Sequence, residues 1–394
     1  MGHTRFMIPE GPSRPPAERA TLRRVASQVI RRASDRDPAD AVLRTTLLKQ
    51  QGLSRDDGRR VAELLFGYYR WKGWVDPKAN LDSAVEETSQ LDRKFFNNPA
   101  AFTDDALRAN AVPAWAASEL TVTPEWLRSL QSHPRLWLRA RRAKAPQLER
   151  YLGNCKASPI SVCPEAVEYC GEEDLFRTEP FHSGDFEVQD LSSQIVGQVC
   201  HPEPGETWWD ACAGEGGKTL HLADLMQNKG LIWASDRAEW RLKKLKQRTG
   251  RARVFNYRAV PWNGGAKLPT KTLFDGVLVD APCTGVGTWQ RNPHARWTTQ
   301  PNDVRELAEI QVSLLNHAAR GVKPGGRLIY SVCTVTRAET TSVAAEFEQA
   351  HPEFVPLEFD AGNIPRGPLP HQLCVWPQRF GGNGMFISCW QRKA

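Results

Sequence analysis

Apolar residues recur at helical spacing early in the chain. Leu22, Val25, Val29 and Ile30 form one stripe, Val42, Leu43, Leu47 and Leu48 a second, and Val61, Leu64, Leu65 and Tyr68 a third. Residues three and four apart share a helix face, so each stripe predicts a helix that buries one side. Ser54 followed by Asp57 reads as a capping-box start for the third helix, with Asp in place of the usual Glu. The pattern predicts a helical domain over 17–122, preceded by a loose Pro-, Gly- and Arg-rich tail at 1–16. Past Pro124 the periods shorten. Arg135–Lys144 alternates as a strand does, PQLERYL reads as a short helix, and strand-like pieces follow around Ser161 and Phe186, which predicts a small α+β module over 123–190. VQDLSSQIVGQV then reads as a helix capped near Asp190.

From 191 to 394 the reading is strand, loop, helix, repeated. TWWDA, LIWASD, ARVFN, FDGVLVDAP and GGRLIYSVCT are near-continuously apolar runs separated by helical stretches, among them one near Glu239–Arg248 and one near Asp303–Arg320. Strands of that kind lie in a parallel sheet covered on both faces, so the expected fold class is α/β, a doubly wound Rossmann-like sheet. Ligands of such sheets sit at the carboxyl ends of the strands.

With 394 residues, 40% of them hydrophobic and 25% charged, the chain has the composition of a multidomain globular protein and not of a disordered or fibrous one. The net charge of +7 is unevenly placed: residues 1–150 hold 26 Lys+Arg against 18 Asp+Glu, and the remainder 26 against 27. A basic module beside a neutral one suits an appendage that binds a polyanion, and equally a solvated basic face. No apolar run approaches the roughly 18 residues of a membrane span, and the first residues lack the apolar core of a secretion signal, so a cytoplasmic protein without a membrane partner is expected. Nine cysteines with no CxxC pair suggest neither a disulfide framework nor a zinc finger, and His294 and His317 have no companion at metal-ligand spacing, so no metal is assigned.

The unusual residues gather at strand ends. Asp210 ends the first strand, followed by the Gly-rich turn Cys212-Ala213-Gly214-Glu215-Gly216-Gly217-Lys218 and the start of a helix, where glycines admit a ligand close to the backbone and unpaired N–H groups await it. A phosphate-binding P-loop would need glycine where Cys212 stands, which disfavours a nucleoside triphosphatase. Asp236 ends the second strand, where a carboxylate either accepts from ribose hydroxyls or caps the next helix. The fourth strand ends in Asp280-Ala281-Pro282-Cys283 and the fifth in Tyr330-Ser331-Val332-Cys333. Adjacent strands are about 4.8 Å apart, so two thiols and a carboxylate can converge there. Trp289 and Trp297 follow the fourth strand and offer ring faces on which a base could stack.

These segments resemble the NOL/NOP/Sun family of RNA cytosine-5 methyltransferases, and within it the bacterial RsmB-like ribosomal RNA type. DACAGEGGKT is similar to the family's DxCAAPGGKT, DAPCTGVGTWQRNPHARW to DAPCSGxGxxRRxPxxRW, and YSVCTVTRAET to YxTCSxxxxEN. VQDLSSQ and the terminal GGNGMFISCWQR match as well, and the helical part resembles, more weakly, the family's NusB-like RNA-binding module. The resemblance implies S-adenosylmethionine as cofactor, held by Cys212 to Lys218 with Asp236, Asn256 and Asp280, and RNA as partner, ribosomal RNA first, within a partly assembled subunit or free. It implies that Cys333 adds to C6 of cytosine, that Cys283 assists release, that Asp280 bonds the base edge and that Lys218 lies beside them. A monomer is expected. Glu215 stands where the family has proline, Asn256 where it has an adenine-contacting Asp, Gln290 where it has an Arg, and Thr334 and Thr340 where it has Ser and Asn. The alternatives are a noncatalytic RNA-binding assembly factor of the same fold, a transfer RNA cytosine-5 methyltransferase, and methylation of an exocyclic amine.

Overall fold

The computed structural model describes residues 15–50, 52–365 and 369–394; most of the tail assigned to 1–16 lies outside the described residues. Chain contacts define two compact units, one up to Pro113 together with Asn292–Thr298, the other Ala114–Arg291 with Thr299–Ala394.

The first unit contains α1 (Pro16–Arg32), α2 (Ala39–Lys49), α3 (Arg55–Trp71), α4 (Leu81–Asn97) and α5 (Asp104–Asn110). Each sequence stripe supplies the core: Leu22, Val25 and Val29 meet Val42, Leu43, Val61 and Leu65, with Val85 of α4 closing the cluster. Leu48 departs from its stripe and is 83% exposed. The capping box of α3 forms as read, Ser54 Oγ accepting from Asp57 N at 3.1 Å and Asp57 Oδ2 from Ser54 N at 2.9 Å. Asp92 is held by Arg70 and by Trp71 Nε1, both at 2.8 Å, so the half-buried charge has its donors. Asn292–Thr298 packs in this unit: fully buried Arg296 donates to the carbonyls of Ala111 (3.0 Å) and Arg70 (3.3 Å), and Trp297 Nε1 to that of Tyr69 (2.6 Å).

The second unit holds, after a short turn of helix at Ala116–Glu119, α6 (Pro124–Gln131) and then a four-stranded antiparallel sheet of β1 (Leu136–Ala140), β2 (Cys155–Ala157), β3 (Ala166–Tyr169) and β4 (Phe186–Val188) in the order β2-β3-β1-β4, with α7 (Ala145–Leu152) between β1 and β2. Ser161, read as strand, lies in the reversal between β2 and β3; its apolar neighbours Ile160 and Cys163 are buried in the larger core instead of on a ladder. One sheet face, Leu138, Ala140, Val167 and Phe186, packs on Leu148 and Leu152 of α7. The other is covered too: Trp137 joins the larger core and donates to Gly381 O at 2.9 Å, while buried Arg139 reaches Gln189 Oε1 at 2.7 Å and Asp224 Oδ2 at 3.1 Å.

The larger sheet contains β5 (Thr207–Asp210), β6 (Leu231–Asp236), β7 (Tyr257–Pro261), β8 (Phe274–Asp280), β9 (Val322–Val332), β10 (Phe354–Pro356), β11 (Gln372–Val375) and β12 (Met385–Arg392). Its order is β10-β12-β9-β8-β5-β6-β7, with β11 also on β12. The five strands from β5 to β9 are parallel, and β10 to β12 add an antiparallel edge. The intervening helices are α8 (Leu191–Cys200), α9 (Gly217–Leu225), α10 (Glu239–Arg251), α11 (Pro301–Ala319) and α12 (Val343–Ala350). Two apolar clusters flank the sheet, one containing Trp208, Ile232, Leu278 and Ile329, the other Trp209, Val277, Val279 and Tyr330, which is the alternation a sheet buried on both faces requires.

The third strand differs from its reading. ARVFN follows the end of α10 as a turn with Arg253 at φ 51°, and β7 begins only at Tyr257. Asn256 therefore stands at the entry of β7, its carbonyl accepting from Ile232 N near the start of β6. The exit of β7, beside Asp236, is Pro261, followed by Trp262 and Asn263.

Candidate active site

The carboxyl ends of β5, β6, β7, β8 and β9 open on one cavity of about 530 Å³, within the range that holds a cofactor-sized ligand. Of the residues read as a site, Cys333, Cys283, Asp280, Lys218, Asp236 and the turn residues Cys212, Ala213, Gly214, Glu215 and Gly217 line it. Gly216 lies just behind: its φ of +88° suits glycine, and a Cβ there would stand 2.7 Å from Leu245 Cγ. Asn256 is not on the lining; Trp262 and Asn263 at the exit of β7 are.

The turn is held from below. Ala211 N donates to Leu278 O and Ala213 N to Ser235 O, so the chain leaving β5 is tied to both neighbouring strands. Asp236 Oδ2 accepts from Gly214 N at 3.0 Å and Oδ1 from Ala238 N at 2.8 Å. The first bond ties the glycine turn to β6 and the second closes a turn ahead of the next helix, whose N-cap, Ala238, has no side-chain cap; each Asp236 oxygen keeps a lone pair for the cavity. A Cβ at Gly214 would meet nothing within 4 Å, so the turn presents open backbone to the space beside it. Glu215 is paired, with Lys244 Nζ at 2.7 Å, so the residue that departs from the family pattern carries its own counter-charge. Asp210 is fully buried, and burial raises its carboxyl to about 7 although Thr219 Oγ1 donates to it at 2.6 Å.

Asp280 accepts from Lys218 Nζ at 2.7 Å and from Ser331 Oγ at 2.8 Å. Burial would drive the Lys218 ammonium toward neutrality, but its contact with Asp280 outweighs this and holds its pKa above the usual value. A second bond from Lys218 Nζ, to Ser193 Oγ at 2.9 Å, fixes the ammonium beside the cavity.

The register pairs Asp280 with Ser331, so Cys283 and Cys333 emerge from adjacent strand ends, and their sulfurs are 3.4 Å apart. The hydrogen bond from Cys283 lowers the pKa of Cys333, and Lys218 and Arg291 act in the same direction against burial and Asp280. Cys283 moves oppositely: as donor it stays a thiol, and burial, the charge of Cys333 and Glu339 all raise it. At the remaining thiols burial is the first cause of the upward shift, as at Cys163, Cys200 and Cys374. The pair thus sets a thiol of lowered pKa beside one of raised pKa. Gly287 braces both loops, donating to Cys333 O at 3.1 Å and accepting from Gly384 N at 2.7 Å; a Cβ on it would lie 2.2 Å from Gly384 O.

The tryptophans do not take the place read for them. Trp289 is fully buried against Trp115 and Trp126, and Trp297 packs within the helical unit. The sequence reading missed Arg291, Arg241, Gln189, Ser193 and Asn263 on the lining. Gln189 and Ser193 belong to the VQDLSSQ segment, and their placement follows from α8 packing beside α9, which no local pattern announces.

Among the described residues no helix is long and apolar enough to cross a membrane. Residues 197–391 match the model of the family described as 16S rRNA methyltransferase RsmB/F. A Bacillus subtilis (strain 168) protein described as a probable ribosomal RNA small subunit methyltransferase B is 34% identical over 271 residues; the match covers 66% of this chain and 60% of that protein's length. Two solved structures share the fold. PH0851 superposes with a TM-score of 0.77 at 23% identity over 96% of this chain and 99% of its own. NSun6 from Pyrococcus horikoshii, solved with SFG, gives 0.61 at 19% identity over 68% and 94%. Through residues 197–391, the chain belongs to the RsmB/F methyltransferase family.

Proposed function

We propose that the protein transfers a methyl group from S-adenosylmethionine to C5 of a cytosine in RNA, ribosomal RNA first, by transient attachment of Cys333 to C6 of the ring. The observation that carries this reading is the Cys283–Cys333 pair, 3.4 Å apart on the wall of the cavity that Asp236 and the glycine turn also line. An acidic residue at the end of the second strand and an open Gly-rich turn are the donor and acceptor set a ribose-bearing cofactor needs, so these residues fit it. The NSun6 neighbour's SFG is an analogue of the same cofactor. Asn263, at the exit of β7, takes the place proposed from sequence for Asn256.

C5 of cytosine is a weak nucleophile, which is why a thiolate is needed. The Cys333 thiolate forms a bond to C6 and the C5–C6 π pair moves toward C5, while N3 takes up a proton from solvent, which Asp280, itself oriented by Lys218 and Ser331, stabilises and which N3 gives back when the ring is released. The bound cofactor supplies an electrophilic methyl group on a sulfonium, whose sulfur keeps the bonding pair when C5 takes the methyl. A base then removes the C5 proton, the C5–C6 double bond re-forms, and Cys333 leaves as thiolate. Cys283 is suited to be that base only after Cys333 is covalently engaged and the Cys283 S–H proton has passed to solvent, leaving a thiolate to accept the proton from C5. Its hydrogen bond to Cys333 and the charge of Cys333 are two of the causes that hold its proton, and both vanish in the adduct.

RNA as the partner is supported by charge. The exposed side of α10 carries Arg241, Lys243, Lys244 and Lys246, and Trp240 is 54% exposed with Lys244 Nζ 4.9 Å from its ring centroid, a surface suited to phosphate and base.

The test is methyl-labelled cofactor with unmodified ribosomal RNA and, in parallel, with unmodified transfer RNA. Label recovered in 5-methylcytidine is expected; label on a ring nitrogen or exocyclic amine overturns the chemistry, and label in transfer RNA alone overturns the substrate. Asp236→Asn should weaken S-adenosylmethionine binding by about 10- to 100-fold, the range for losing a hydrogen bond to a charged acceptor, with RNA affinity unchanged. Calorimetric titration of each ligand checks it.

A further inference from the structure

Glu339 lies in a turn of π-helix, Ala338–Ser342, one strand exit away from both thiols, and is fully buried. Local widening of a helix of this kind concentrates at functional sites. Its carboxylate accepts five hydrogen bonds. Oε1 takes Thr284 N (2.8 Å) and Gln311 Nε2 (3.0 Å); Oε2 takes the hydroxyls of Thr284 (2.5 Å), Thr336 (2.8 Å) and Thr334 (3.1 Å). Thr284 follows Cys283 and Thr334 follows Cys333 directly in sequence. The same Gln311 amide also donates to Pro282 O at 2.9 Å, on the other side of Cys283. Tyr330 OH, from the strand that delivers Cys333, donates to the carbonyl of Glu339 at 2.7 Å. One carboxylate therefore binds both cysteine loops to each other and to α11.

We infer that Glu339 is the positioning residue that sets the spacing and orientation of the two thiols. The inference rests on the reading that Cys283 and Cys333 carry the chemistry, but its mechanical content does not. An ionised carboxylate offers only acceptors, and five convergent donors need one; a fully satisfied buried network fixes a single geometry where separate loops would drift. Thr334, which departs from the family's serine, keeps the hydroxyl the network uses.

The experiment is disulfide trapping in the full chain without RNA or cofactor. Diamide oxidises neighbouring thiols: two thiols lose two electrons and two protons, an S–S bond forms, and the reagent's N=N bond is reduced to the hydrazine. In the wild type, Cys283–Cys333 linkage, followed by peptide mapping, should be fast. In Glu339→Ala it should slow at least about tenfold, and Glu339→Gln, which keeps the volume and one acceptor oxygen, should fall between. In methylation assays kcat should fall in the same order while KM for S-adenosylmethionine stays unchanged, because Asp236 and the glycine turn are untouched. Linkage as fast in a folded Glu339→Ala as in the wild type overturns the inference. If that variant does not fold, Thr284→Val with Thr334→Val removes two donors at equal volume and must itself slow the linkage; wild-type speed there overturns it equally. Slowed linkage in a protein that methylates nothing would leave the positioning role standing and sink only the proposed function.

Discussion

Cys333→Ala is expected to reduce methyl transfer by roughly ten-thousand-fold or more, because without the sulfur there is no route to a nucleophilic C5 and the remaining residues only bind and orient. Binding should survive. Asp236, the glycine turn and the Lys218–Asp280 pair do not depend on the lost sulfur for their hydrogen bonds. Single-turnover assays with labelled cofactor, beside titrations of cofactor and RNA, separate the two effects. Transfer at the wild-type rate would remove Cys333 from the role of nucleophile.

Cys283→Ala should have a different signature. Attack by Cys333 remains possible, but the group placed to take the C5 proton is gone, so protein and RNA should accumulate as a covalent species that survives a denaturing gel. Turnover should fall by about 10²- to 10⁴-fold, the range for losing a general base. The double variant with Cys333→Ala should show no such species, and equal trapping by both single variants would remove the division of labour. The pH dependence should also move. In the wild type the S–H of Cys283 stabilises the Cys333 thiolate, so alkylation of Cys333 should reach half its maximal rate below the usual thiol pKa of 9.0. Removing the donor removes the first cause of that lowering, so the alkylation midpoint in Cys283→Ala should rise. A midpoint that stays or falls would show that Lys218 and Arg291 alone set it.

Much of this arrangement was legible because the motifs lie at strand exits. Parallel strands deliver their carboxyl ends to one edge, so Asp210, Asp236, Asp280 and Cys333 could be placed together once five strands had been recognised. The weakest strand was the edge strand β7, whose residues are all half-buried or exposed and which pairs only with β6. Its apolar signal is weaker than that of Val254 and Phe255 before it, of which Val254 is buried by a turn and Phe255 is 78% exposed. The strand was accordingly read five residues early, which put Asn256 at an exit where Asn263 stands.

Local pattern determined the helical stripes, the caps at Ser54 and Asp190, the α/β class and which side chains stand at the strand exits, since each depends on residues within a few positions of one another. The tertiary structure decided what depends on distant partners. Thiol contact follows from β8 pairing with β9, the burial of Trp289 from packing on Trp115 and Trp126, and the covered face of the small sheet from Arg139 reaching Asp224. The Glu339 network joins residues 282–284, 311, 330 and 334–339. Hydrogen bonds between segments so far apart carry no periodic signature in a sequence, because their geometry exists only once the sheet order has brought the segments together.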